Sequence, residues 1–268
     1  MTVALATLHR NHFAGHIRFI VTVGEEYGAP GSRQLTQAGV VDDIDALVVG
    51  EPTDHHIEYA HAGSFNYKVH SQGLAGHSSR PELAKNAIEP LADFIVRERH
   101  LFDDAPTDPV IGALVHSVTV INGGAQVNTI PDTASLAGNV RPTPSFTNQM
   151  VTERLQSLVD SLNKEPDSEL TFELTHSFFP VYTEPTDPLV QIAQQVAEKA
   201  FDQRIPLTIS HGATDASEFT KSDSHFPTII LGPGDNHLSH QINEHLPLAD
   251  YRAAITTYID LAQAYFAH

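Results

Sequence analysis

Short apolar runs alternate with helical stretches at both ends of the sequence, and an unbroken βαββαβ succession lies between them. Together these predict an α/β protein with an inserted domain of its own topology. The length of 268 residues and 41% hydrophobic content suffice for one large domain or two smaller ones.

The elements follow in chain order. Residues 2–12 suit a helix with Val3, Leu5 and Leu8 among its apolar positions, and the run 16–23, "HIRFIVTV", reads as a buried strand. Residues 31–39 suit a short helix ending in glycine, and 45–50, "DALVVG", is a second short strand that stops at "EPT". From about residue 63 the pattern changes. "SFNYKVHSQG" (64–73) alternates as a half-exposed strand, 83–100 is helical, and 114–123 and 133–141 are two further strands. A helix over 147–163 and a strand over 169–177 complete the split ferredoxin-like order. The α/β signals then resume with a helix at 188–202, strands near 206–210 and 227–231, and a terminal helix over 249–266. The expected division is therefore 1–61 with 179–268 as one domain, and 62–178 as the inserted one.

Composition narrows the function. A formal net charge of -18, from 33 acidic against 15 basic residues, repels nucleic acid and anionic lipid, so neither is an expected partner. The absence of cysteine excludes thiol catalysis, disulfides and thiolate metal sites, leaving His, Asp and Glu to hold any metal. No run reaches the roughly 20 apolar residues that span a bilayer, and "MTVALATLHRNHF" lacks the pattern of a secretion signal. A soluble, cytoplasmic protein is expected.

Five places carry candidate chemistry. "VGEE" and "VVGEP" each put acids at the end of an apolar run, giving Glu25, Glu26 and Glu51. In open α/β sheets that edge binds ligands, and carboxylates gathered there repel one another unless a cation lies between them. If Glu25 and Glu26 end a strand, they point to opposite faces and are free to do different work. His77 sits in the glycine-serine loop "GLAGHSSRP". "GGAQVNTIPD" and "GNVR" place Asn128 and Arg141 around consecutive strands, and a guanidinium there can fork onto a carboxylate or form a surface ion pair. Finally, "GPGDNHLSHQINEH" offers His237, His240 and His245 beside Glu244 as candidate metal ligands.

In order, the motifs are GEE, GEPT, GxxxHSSxP with NAI following, QVNxIPD, NVR and HQxNE. With these the chain resembles the di-zinc aminoacylase and carboxypeptidase family of succinyl-diaminopimelate desuccinylases and acetylornithine deacetylases, and most closely the desuccinylase branch. The resemblance covers essentially the whole sequence. It implies a zinc-peptidase-like α/β catalytic domain and an inserted dimerisation domain, hence a homodimer, with two Zn2+ per intact subunit and Co2+ as a possible substitute. It makes Glu25 the general base, Glu26 and His240 ligands of one metal with His237 as fallback, and Glu51 a ligand of the other. His77 would serve the oxyanion, and Asn128 and Arg141 the substrate.

The implied reaction is hydrolysis of a small N-acyl amino acid, N-succinyl-diaminopimelate first, in lysine biosynthesis. Acetylornithine deacetylase or a dipeptidase is the alternative. In the family an HxD histidine and a bridging aspartate precede GEE, and neither stands in these residues. The expectation is a member truncated at its N-terminus, with catalysis impaired. The alternative of another class is an inactive fragment serving only as a dimerising module.

Overall fold

The computed structural model describes residues 1–268. In chain order the elements are α1 (Thr2–Arg10), α2 (Pro30–Gln37), β1 (Leu47–Val49), β2 (Ile57–His61), β3 (Ser64–Gln72), β4 (Gly76–His77), α3 (Ile88–Glu98), β5 (Val115–Gly123) and β6 (Thr129–Ile130). They continue as β7 (Thr133–Arg141), α4 (Asn148–Leu162), β8 (Leu170–Phe178), β9 (Val181–Tyr182), α5 (Pro188–Phe201), β10 (Leu207–Ser210), α6 (Ala216–Phe219), β11 (Thr228–Ile230) and α7 (Leu248–Ala267). The chain divides into two compact units. The first comprises Met1–His61, Val181–Ser210 and Thr214–His268, and the second Ala62–Pro180 with His211–Ala213.

The first unit is built on a sheet in the order β1-β11-β2-β10, with β9 added beside β2. β1 runs parallel to β11 and β10 parallel to β2, as strands joined through helices do. β2 escapes the sequence reading because "IEYAH" alternates no apolar face. It lies between other strands, and four of its five residues are buried, Glu58 and His61 included. α5 starts at Pro188, where the Asp187 side chain accepts the Leu189 N–H at 2.8 Å. It buries Leu189, Val190, Ala193 and Ala197 in a core shared with Ile57 and Ile229.

The second unit is a four-stranded antiparallel sheet in the order β5-β7-β3-β8. This is the strand order of the split ferredoxin-like fold. Alternation along β3 turns Phe65, Tyr67 and Val69 into a core that also holds Leu91 and Phe94 of α3 and Leu155 of α4. α3 begins later than residue 83. Pro81–Leu83 forms a separate 3-10 turn, Leu74 and Lys85 bridge, and the Asn86 side chain accepts the Ile88 N–H at 3.1 Å, so that Asn86 opens the helix at Ile88.

One expectation fails outright. Residues 16–23 form no strand, and Phe19, Val21 and Val23 are 42%, 75% and 73% exposed. An apolar run becomes a strand only by sharing its backbone hydrogen bonds with a neighbour, and none of the eleven strands of this chain pairs with it.

Candidate functional site

Glu25 and Glu26 occupy a tight loop, not the end of a strand. Gly24 (φ 77°) turns the chain into a 3-10 turn over Glu25–Tyr27, and Gly28 (φ 85°) turns it out toward α2. Val23 O accepts the Gly31 N–H at 3.1 Å and closes the loop at its stem. A Cβ at Gly31 would lie 2.6 Å from Val23 N, so the closure requires glycine. A 3-10 turn rotates about 120° per residue, and this separates the neighbours. Glu25 is half-buried whereas Glu26 is exposed. Burial raises Glu25 above the usual carboxylate range, Glu26 and Asp215 add to the rise, and His240 opposes it.

Glu51 follows β1 on a loop stapled to the segment after β11. Leu231 N donates to Val49 O at 2.9 Å, Gly232 N to Thr53 Oγ1 at 3.2 Å, and Asp54 N to Gly234 O at 2.7 Å. A side chain at Gly232 would overlap the Glu51 carbonyl. The Glu51 carboxyl is pushed up to about 7, first by burial and then by Glu25, Asp215, Glu26 and Glu58.

Past the same glycine segment the chain delivers His240, whose backbone is left-handed (φ 64°) and whose N–H donates to Glu244 Oε2 at 3.1 Å. Its Nε2 lies 3.2 Å from Glu26 Oε1. Neither neighbour makes such a pair: His245 Nδ1 bonds the Asn243 carbonyl at 2.7 Å, and the His237 backbone N–H donates to Asp235 Oδ1 at 2.8 Å. The structure thus gathers Glu25, Glu26, Glu51 and His240 within the first unit. It adds Asp215, which none of the sequence motifs singled out. Asp215 is 6% exposed and accepts hydrogen bonds from Thr22 Oγ1 and, at 2.5 Å, from Ser32 Oγ.

These donors suit a divalent cation. Carboxylate oxygens and an imidazole nitrogen are zinc-type ligands, and the Glu25 and Glu51 carboxyls, raised first by burial and then by neighbouring carboxylates, would be eased into their charged form by a cation. No three His, Asp or Glu side chains stand together as a finished cage.

The other three sequence candidates belong to the second unit. His77 of β4 pairs with Thr129 of β6, and Ser78 N donates to Asn128 O at 3.0 Å, so the short ribbon puts His77 beside Asn128. Ser79 N donates to His77 Nδ1 at 3.2 Å, which leaves Nε2 to carry the proton of the neutral ring. Arg141 ends β7 half-buried, without a carboxylate partner, and burial lowers its pKa.

Comparison with known proteins gives the class: a hydrolase of the metallopeptidase kind. The signature of peptidase family M20/M25/M40 matches residues 1–264, and the chain belongs to that family of hydrolytic enzymes. A probable succinyl-diaminopimelate desuccinylase of Staphylococcus epidermidis is 29% identical over 99% of this chain and 72% of its own length. Among solved structures, aminopeptidase PepT of Bacillus cereus superposes with a TM-score of 0.77 at 20% identity, over 98% of this chain and 68% of PepT. YXEP of Bacillus subtilis, described as a dinuclear metal binding peptidase of the M20 family, gives 0.69 at 19% identity over 99% and 69%. No helix is long and apolar enough to cross a membrane.

Proposed function

We propose that the protein is a zinc-dependent amide hydrolase that removes the acyl group of an N-acyl amino acid, with N-succinyl-diaminopimelate as the first candidate substrate. The observation that carries this reading is the meeting of Glu26 and His240 at 3.2 Å beside the half-buried Glu25 and Glu51. Glu26 and His240 would hold one metal ion and Glu51 a second. Bound divalent ions polarise an amide carbonyl and lower the pKa of water toward about 7. Glu25 accepts the proton of the attacking water and returns it to the departing amine nitrogen. By the same resemblance His77, reaching across the dimer, would donate to the oxyanion, and Asn128 and Arg141 would hold the substrate, Arg141 by forking onto a carboxylate. The unpartnered Arg141 favours a multiply carboxylated substrate.

Side-by-side turnover of N-succinyl-diaminopimelate and N-acetylornithine with zinc or cobalt tests this. It is run on the 268-residue chain. Preference for the succinyl substrate supports the reading, and preference for N-acetylornithine transfers it to the alternative.

The second unit is the dimerisation module of this proposal. β5 is an edge strand with Val115, Val120 and Ile121 exposed, a template for pairing with another copy. Sedimentation should show a dimer that Ile121→Lys converts to monomer; a parent that stays monomeric at high micromolar concentration contradicts it.

A further inference from the structure

The loop that carries Glu25 and Glu26 is narrow at its base, where Thr22 and Val23 enter and Gly31 and Ser32 leave. Both sides of that base are held by one carboxylate: Thr22 Oγ1 donates to Asp215 Oδ2, and Ser32 Oγ donates to Asp215 Oδ1 at 2.5 Å. Asp215 and Ser32 are buried, with 6% and 0% exposure. A buried carboxylate is costly unless its lone pairs are satisfied, and both hydroxyls come from the stem of the same loop. The helix that opens after Asp215 extends the hold, because Thr36 Oγ1 donates to Glu218 O at 3.2 Å and Arg33 Nε lies 3.7 Å from Glu218 Oε2. Inside the loop the ordering is local: Tyr27 N and Ala29 N donate to Gly24 O at 3.0 and 2.9 Å, and Gly31 N to Val23 O.

We infer that Asp215 is a positioning residue: it clasps the two ends of the Thr22–Ser32 loop and so fixes where Glu25 and Glu26 stand. The inference rests on the metal-hydrolase reading for its purpose, but the clasp itself is a property of the chain without metal. Of the two hydroxyls, neither alone closes the stem, since each lies on one side of it. Asparagine at 215 preserves the geometry without the charge, its amide oxygen accepting from one hydroxyl and its amide N–H donating to the other.

Hydrogen exchange on the full chain, with zinc binding measured in parallel, tests this. In Asp215→Ala the amides of Tyr27, Ala29 and Gly31 should exchange about 100-fold faster, and in Thr22→Val or Ser32→Ala about tenfold faster, from the loss of hydrogen bonds to a buried charge. Amides of β3 and β7 should change less than about twofold, because they open with another unit. Asp215→Asn should restore most of the protection, and adding Thr22→Val and Ser32→Ala to Asp215→Ala should accelerate exchange no further, because the three groups act as one. Zinc affinity should fall about tenfold or more in Asp215→Ala and recover in Asp215→Asn.

Unchanged exchange in Asp215→Ala, full additivity of the three substitutions, or an equal rise in β3 and β7 would each overturn the clasp. The two hydroxyl variants decide the matter even if Asp215→Ala does not fold. A parent that takes up no zinc overturns the metal reading, and the clasp is then judged on exchange alone.

Discussion

The two units treat apolar sequence differently. In the second, the apolar face of β3 is closed over by α3 and α4, and Phe65, Tyr67, Phe94, Phe146, Leu91 and Leu155 are all but fully buried. In the first, the run 16–23 stays outside every sheet with Val21 and Val23 largely exposed, and it leads directly into the loop of Glu25 and Glu26. An alternating pattern next to a helix that can cover it fixes a strand locally. A continuous apolar run fixes nothing until a neighbour supplies backbone partners.

This contrast gives the largest expected effect. Phe94→Ala empties a fully buried position packed against Tyr67, at ring centroids 6.2 Å apart, and should cost about 3–5 kcal/mol in urea unfolding. Val21→Ser should cost less than about 0.5 kcal/mol, as at an exposed site. Equal losses would mean that residues 16–23 are buried in solution and that the contrast between the units is false.

The next effect is a pH dependence that the sheet of the first unit carries. Burial in β2 raises Glu58 from 4.5 to about 7. The folded state then holds this proton where the unfolded chain has lost it. The associated stability is fully present below about pH 4.5 and is lost as pH rises through about 7, some 3 kcal/mol in total. Glu58→Gln should remove that slope, so that parent and variant converge at pH 5 and the variant is the more stable at pH 8. A parent whose urea midpoint is unaffected by Glu58→Gln at both pH values would show that the site is wetter than the structure has it.

The smallest effect belongs to the surface of the second unit. His70 Nε2 and Glu173 Oε2 lie 2.7 Å apart with both side chains about half exposed. Such a pair is worth under about 1 kcal/mol, so His70→Ala should barely shift the unfolding midpoint, and a larger loss would mean that this strand face is covered.

How far the sequence was legible follows from the same contrast. β3, β7 and α4 were readable to within a residue or so because each shows one apolar face to one core, and β5 and β8 were readable as closely although Val115, Val120, Ile121 and Leu174 lie exposed on them. β2 was not, because "IEYAH" is buried by neighbours on both sides and by hydrogen bonding of polar groups, which leaves no period in the letters. At the site, the residue types of Glu25, Glu26, Glu51 and His240 were legible from motifs, but their arrangement was not. The separation of Glu25 from Glu26 comes from a 3-10 turn set by Gly24, where strand alternation was expected. Asp215 was missed because its partners, Thr22 and Ser32, lie 193 and 183 residues away along the chain, and no spacing rule links them.

The central claim is that one of two adjacent glutamates holds metal while the other handles a proton. Zinc binding by equilibrium dialysis on the parent, Glu25→Gln and Glu26→Gln tests it most directly. Glu26 faces His240 at 3.2 Å, so Glu26→Gln should weaken zinc about tenfold or more, while Glu25→Gln should bind within about twofold of the parent and lose turnover in any form of the protein that shows it. Loss of zinc from Glu25→Gln with retention in Glu26→Gln would contradict the account.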